Sequence, residues 1–155
     1  MKNNFFIKSQ FSNIYEKSSI KSAVSSQILY GEKFRILSKN KNWLKIKTSF
    51  DNYIGYIKNT NYVDNFKPTH KVFKLKSQIF KSKKNKKLQP TKSYLSFASK
   101  VLVLNENKKF IEYEKNKWIK KNELKKISHY EKNLIKILKL FLKTKYAWGG
   151  KSYKG

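Results

Sequence analysis

The sequence has no cysteine, so neither a disulfide framework, nor a cysteine-based metal site, nor a thiol nucleophile lies within its 155 residues. Acidic side chains are scarce: nine Asp and Glu stand against 37 Lys and Arg, for a net charge of +28. Arginine is almost missing, Arg35 being the single one. Direct base readout and bidentate phosphate recognition favour the guanidinium fork, so no specific nucleic-acid partner is expected despite the charge. Lys, Asn, Ile, Phe and Tyr are what AT-rich codons supply, and the charge reads as composition and solvated surface. Long apolar runs are absent. Phe5-Phe6-Ile7 before Lys8 is too short for the apolar region of a signal peptide, and no stretch could span a membrane. A soluble, cytoplasmic protein without membrane insertion is expected. Prolines number two and glycines five, and three of those glycines fall in the last seven residues.

What is present begins as short strands. Asn13-Ile14-Tyr15, Ile28-Leu29-Tyr30, Lys33 to Leu37, Trp43 to Ile46 and Tyr53 to Ile57 are separated by turn-type residues. Lys39-Asn40-Lys41-Asn42 and Ser49-Phe50-Asp51-Asn52 suit hairpin connections, since Asn and Asp tolerate left-handed backbone. Five closely spaced strands suggest a small closed barrel. The pieces S-Q-I-L-Y-G-E-K-F-R-I-L, N-W-L-K-I and D-N-Y-I-G-Y-I resemble the bacterial SH3-like barrel. Glu32, Trp43 and Gly55 read as structural: a solvated carboxylate, a core aromatic and a backbone constraint.

Pro68 marks a boundary, and beyond it the pattern repeats. Phe97 to Leu104 lies over Tyr30 to Leu37 at an offset of 67, which also sets Phe110 on Trp43 and Ile111 on Leu44. Trp118-Ile119-Lys120 echoes Tyr56-Ile57-Lys58 at an offset of 62, so the second copy has lost five residues, including the counterpart of Asp51-Asn52-Tyr53. Two tandem barrels are expected, the second eroded. Trp118 reads as core, and Lys81 to Lys87 as an exposed loop.

Ser128-His129-Tyr130-Glu131 has the spacing of a capping box, and apolar residues recur at helical spacing through Leu134, Ile137, Leu138 and Phe141. A helix from about Tyr130 to Lys143 is predicted. It leads into Tyr146-Ala147-Trp148-Gly149-Gly150-Lys151-Ser152-Tyr153-Lys154-Gly155. That segment resembles the lead-in to the nucleophile of NlpC-type cell-wall cysteine peptidases, in which Asp-Cys-Ser-Gly follows within a few residues of the last glycine. The resemblance implies a mainly β chain: two tandem bacterial SH3-like barrels (1–66 and 67–127), then the first helix and loop of an α+β papain-like domain (128–155). The sequence is expected to stop short of the catalytic cysteine, leaving this chain inactive by itself. The parent is expected to hydrolyse the D-glutamyl-diamino acid bond of peptidoglycan-derived peptides, recycling muropeptides, with no cofactor and no metal. Its partners would be those peptides and the remainder of the peptidase domain.

The resemblance also implies that the first barrel helps bind the free amino end of a wall peptide. Asp51 and Tyr53 suit that task, a carboxylate pairing with an ammonium and a phenol adding a donor. Tyr146 and Trp148 would line the cleft. His70 and His129 lie upstream of the lead-in and are not expected to be catalytic. The alternative is a non-catalytic SH3-type binding module for wall peptides or a protein partner. A Lys-rich nucleic-acid-binding protein comes third.

Overall fold

Alternation with period two is plainest in Trp43–Thr48, where Leu44, Ile46 and Thr48 are buried and the residues between them are half-exposed. The computed structural model describes residues 4–82 and 87–155. It divides into two compact units, Met1–Phe66 with Lys145–Gly155, and Lys67–Thr144.

In the first unit the described strands are β1 (Asn4–Ile7), β2 (Phe11–Tyr15), β3 (Val24–Leu29), β4 (Lys33–Asn40), β5 (Trp43–Thr48), β6 (Ile54–Lys58) and β7 (Tyr62–Val63). They pair antiparallel in the order β3-β2-β6-β5-β4-β1-β7. The inner face buries Ile7, Ile14, Ile28, Phe34, Leu44, Ile46 and Ile57, with Phe5, Ile36 and Tyr62 packed against them. Fully burying each such side chain contributes about 1.5–3 kcal/mol. Trp43, expected in the core, is only half-buried and lies edge-on to Tyr15 at 5.5 Å. The apolar register of β5 falls on Leu44 and Ile46, which puts Trp43 on the opposite face.

The second unit holds β8 (His70–Val72), β9 (Lys76–Ser82), β10 (Leu88–Ser96), β11 (Lys100–Val101), β12 (Asn105–Glu106), β13 (Phe110–Glu114), β14 (Lys117–Lys120) and β15 (Leu124–Lys126). Their orders, β10-β9-β14-β13-β12 and β11-β8-β15, reproduce that of the first unit with its fourth strand split into β11 and β12. The register repeats as well. Leu44 pairs with Ile57 and Ile111 with Ile119, while Tyr15 pairs with Tyr56 and Phe80 with Trp118. The break has a counterpart in the first unit, where the β4–β5 register slips between Ile36 and Ser38. Leu37, at the slip, and Leu104, between β11 and β12, are 49% and 56% exposed, so neither is held by a core. Pro90, which cannot donate to a ladder, sits in the edge strand β10 next to a register shift. Trp118 is half-buried, and the core of this unit is built instead from Val72, Leu95, Val101, Ile111, Tyr113 and Ile119. Of the expected loop Lys81 to Lys87, Lys81 and Ser82 end β9, and residues 83–86 lie outside the described residues.

The helix is shorter than its periodicity predicts: α1 covers Leu134–Phe141. Asn133, not Ser128, is its N-cap, accepting from the Lys136 amide at 3.1 Å. Ser128 instead lies in the turn that follows β15. Glu131 accepts from the Asn133 amide at 3.2 Å and pairs with the Lys136 ammonium at 3.0 Å. Phe141 meets Phe97 edge-on at 5.5 Å, whereas Leu134, Ile135, Leu138 and Leu142 are exposed. Residues 128–155 are thus shared between the two units, through Thr144 with the second and from Lys145 with the first.

Candidate functional site

Two loops of the first unit each hold a carboxylate in place. In the turn between β3 and β4, Gly31 has φ +74°, and Glu32 folds back so that its Oε2 accepts from the Leu29 amide at 2.8 Å. Between β5 and β6, the Thr48 hydroxyl donates to Asp51 Oδ1 and accepts from the Tyr53 amide at 2.8 Å. Asn52 completes that loop at φ +57°, a left-handed conformation that asparagine accepts. Both carboxylates are therefore oriented by the barrel itself.

The C-terminal segment is laid against this surface. Gly149 has φ +67°, and a Cβ there would come within 2.6 Å of the Ser25 carbonyl oxygen, so the close approach requires glycine. Next to it Gln27 Oε1 accepts from the Lys151 amide and from the Ser152 amide, both at 2.8 Å. The other end of the Gln27 amide donates to Asn13 Oδ1 at 3.0 Å, which fixes its orientation. Gln27 and Ser152 are both buried. The Lys151 ammonium then reaches Glu32 Oε1 at 3.2 Å, Glu32 Oε2 at 3.3 Å and Asp51 Oδ2 at 3.6 Å, and lies 5.6 Å from the centre of the Phe50 ring. Two of the nine acidic residues converge on one ammonium. Beyond it Tyr153 meets Phe11 edge-on at 6.5 Å.

Partial burial pushes the Asp51 carboxyl up. The Thr48 hydroxyl, the Lys151 ammonium and the amides of Asp51 and Tyr53 outweigh that effect and hold the group below its ordinary value of 3.8.

Of the residues expected to bind substrate, Asp51 lies in this cluster and Tyr53 borders it. Tyr53 contributes its amide and carbonyl to Thr48, with its side chain 40% exposed. Tyr146 and Trp148 do not join the cluster and are 85% and 74% exposed. Glu32 is not the solvated carboxylate its sequence position suggested: it is buried, because the turn needs an acceptor for the Leu29 amide. Gln27 and Lys151 carry one signal each, a polar run Ser25-Ser26-Gln27 in a strand whose other residues are apolar, and a lysine directly after two glycines. His70 and His129 belong to the second unit. Burial and the charge of Lys126 lower His70 below its ordinary value of 6.5. Among the described residues no group of three His, Cys, Asp or Glu side chains could hold a metal ion.

Residues 14–61 match the family model of the bacterial dipeptidyl-peptidase SH3 domain. That stretch runs from β2 past β6 and contains Gln27, Glu32, Asp51 and Tyr53. Among solved structures, an NlpC/P60 family protein from Bacillus cereus ATCC 10987 is similar with a TM-score of 0.77 at 15% identity, over 98% of this chain and 68% of that one. NlpC2 from Trichomonas vaginalis gives a TM-score of 0.36 at 13% identity, over 97% of this chain and 60% of that one. No curated protein matches the sequence. The chain is mainly β and carries an SH3-like domain, and the site described above lies on that SH3-like domain and on the segment docked against it.

Proposed function

We propose that the chain is the N-terminal part of an NlpC-type cysteine endopeptidase. The parent enzyme hydrolyses the D-glutamyl-diamino acid bond of peptidoglycan-derived peptides and recycles muropeptides in the cytoplasm. The second unit is, in this reading, an eroded SH3-like copy. The observation that carries the proposal is the seating of the Gly149–Ser152 turn on an SH3 domain of dipeptidyl-peptidase type, with the carboxylates Glu32 and Asp51 beside it. The fold likeness to an NlpC/P60 family protein over 98% of the chain supports it.

The barrel's part is to receive the amino end of the peptide. Asp51 pairs with its ammonium, Tyr53 adds a phenol donor, and Tyr146 and Trp148 offer flat apolar walls to the peptide. Because Asp51 is held below its ordinary value of 3.8, it is ionised at neutral pH, where a peptide amine is cationic. Thiolate chemistry, acylation and hydrolysis belong to the remainder of the peptidase domain. The test is binding of a D-glutamyl-diamino acid peptide with a free amino terminus, compared with its N-acetylated form. Tighter binding of the free amine, lost in Asp51→Ala, is expected. Equal binding of the two forms would refute the assignment.

A further inference from the structure

The Lys151 ammonium is held by groups that the barrel orients without it. Glu32 is fixed by the Leu29 amide, Asp51 by Thr48, and Gln27 by Asn13. Each of the three points its remaining acceptor capacity at the same short segment: Gln27 takes the Lys151 and Ser152 amides, while Glu32 and Asp51 take the ammonium. An acceptor set preorganised in this way binds without the entropic cost of ordering itself. In the second unit the position of Glu32 is taken by Ser99, and the stretch corresponding to Asp51 is missing. The receptor is therefore a property of the first unit alone.

We infer that Gln27, Glu32 and Lys151 are positioning residues that latch the Gly149–Ser152 turn onto the first barrel and thereby set where Tyr146 and Trp148 are presented. The latch has an amide half and an ionic half. The amide half, Gln27 to two successive N–H groups, fixes the path of the backbone. The ionic half, Glu32 to Lys151, fixes its register along the barrel, because a neighbouring lysine such as Lys154, which lies over Phe11 at 5.7 Å, would reach the carboxylates only if the turn slid. Lys151 also faces Asp51, the residue assigned to the peptide amine, so an entering ammonium competes with the latch. By linkage the two must oppose each other: amine binding at Asp51 loosens the turn, and a seated turn weakens amine binding. This regulatory consequence rests on the proposed peptide-binding role; the latch itself does not.

Amide hydrogen exchange of Ser152, measured by NMR on the whole chain, reads the latch directly. Lys151→Met is expected to speed that exchange on the order of tenfold, as for loss of a charge-assisted contact, and Lys151→Arg to restore it. Added salt is expected to speed exchange in wild type and in Lys151→Arg but not in Lys151→Met. Core amides of β5 serve as the control for folding and are expected to be unchanged. Gln27→Leu is expected to open the turn even with Lys151 intact, and Gln27→Glu to retain most of the protection. Exchange in Lys151→Met within about twofold of wild type, or failure of arginine to restore protection with β5 intact, overturns the latch. A working latch together with equal binding of free and acetylated peptide would leave the latch standing and remove the peptide-binding role. The reverse result would remove the latch alone.

Discussion

The ammonium of Lys151 lies 3.2 and 3.3 Å from the two carboxylate oxygens of Glu32, although 119 positions of chain separate the residues. Glu32 is spent twice, since Oε2 also accepts from the Leu29 amide. A turn that needs an internal acceptor has thus placed a carboxylate where it is buried under the docked segment, and a buried carboxylate needs a cation. The lysine after the paired glycines supplies it. Local turn chemistry and long-range docking are here one arrangement, and disturbing either end should be felt at the other.

Gly149→Ala tests the docking sterically rather than electrostatically. The new methyl would fall 2.6 Å from the Ser25 carbonyl oxygen, at a φ of +67° that itself costs about 1–2 kcal/mol for alanine. Neither the segment nor the strand can yield cheaply, because the close atoms are backbone. The expected outcome is release of the segment with the barrel still folded. Trypsin should then cut after Lys151 and Lys154 at least several times faster than in wild type, while the barrel stays folded with a lowered unfolding temperature, since Glu32 loses its cation.

Asp51 makes the stability of this region depend on pH in a defined direction. Its folded value is lowered from 3.8, so the folded state favours the ionised form. The contribution is fully present above about pH 4 and is lost as pH falls through the depressed folded value. Thr48→Val removes the hydroxyl that donates to Asp51 and should raise the Asp51 titration midpoint, as followed by the carboxyl resonance in NMR. Asp51→Asn should remove this component of the acid-side decline. A midpoint unmoved in Thr48→Val would mean that the hydroxyl does not hold the charge.

Much of the architecture could be read from the repeat, because sheet register converts a constant offset into equivalent pairs. The offset of 67 that lays Ser99 on Glu32 also lays the Asn105–Glu112 pair on Ser38–Lys45. The flanking strands β1 and β7 leave no period-two signal, because they are short and their burial does not alternate. The sequence leaves the helix start open because Ser128 and Asn133 are both good caps, and only the path of the chain after β15 chooses between them. Asp51 is legible as an acidic residue near Tyr53 in a stretch that the second unit lacks. Its neighbours Gln27, Glu32 and Lys151 are not, since no local pattern records a contact over more than a hundred residues. The buried pair Ser26-Gln27 held the available hint: a polar residue inside a small barrel must have a partner.

Four lysines, Lys108, Lys109, Lys120 and Lys121, line a cleft of about 590 Å³ together with Phe110 and Asn122. Lysine without arginine gives attraction to phosphate but little recognition. Binding to duplex DNA is expected to be indifferent to sequence and to fall steeply with salt, with an affinity no higher than that of an equally charged lysine-rich control. Fluorescence anisotropy across a salt series measures both. A sequence preference, or affinity that survives high salt, would give the cleft a specific role.

The two units also offer a comparison that needs no ligand. Gly31 and Ala98 occupy equivalent turns, and both are left-handed, at φ +74° and φ +66°. Glycine takes this conformation freely, whereas alanine sits in it at a cost of about 1–2 kcal/mol, part of which glycine returns as greater freedom in the unfolded chain. Ala98→Gly should therefore stabilise the second unit, by about 0.5–1 kcal/mol. Gly31→Ala should destabilise the first unit by a similar or larger amount, because its turn carries Glu32 and through it Lys151. Urea unfolding followed by residue-resolved NMR assigns each change to its unit. Opposite signs at the two positions are the expected result. Destabilisation by both substitutions would mean that the turn of the second unit relies on contacts of the Ala98 methyl rather than merely tolerating its strain.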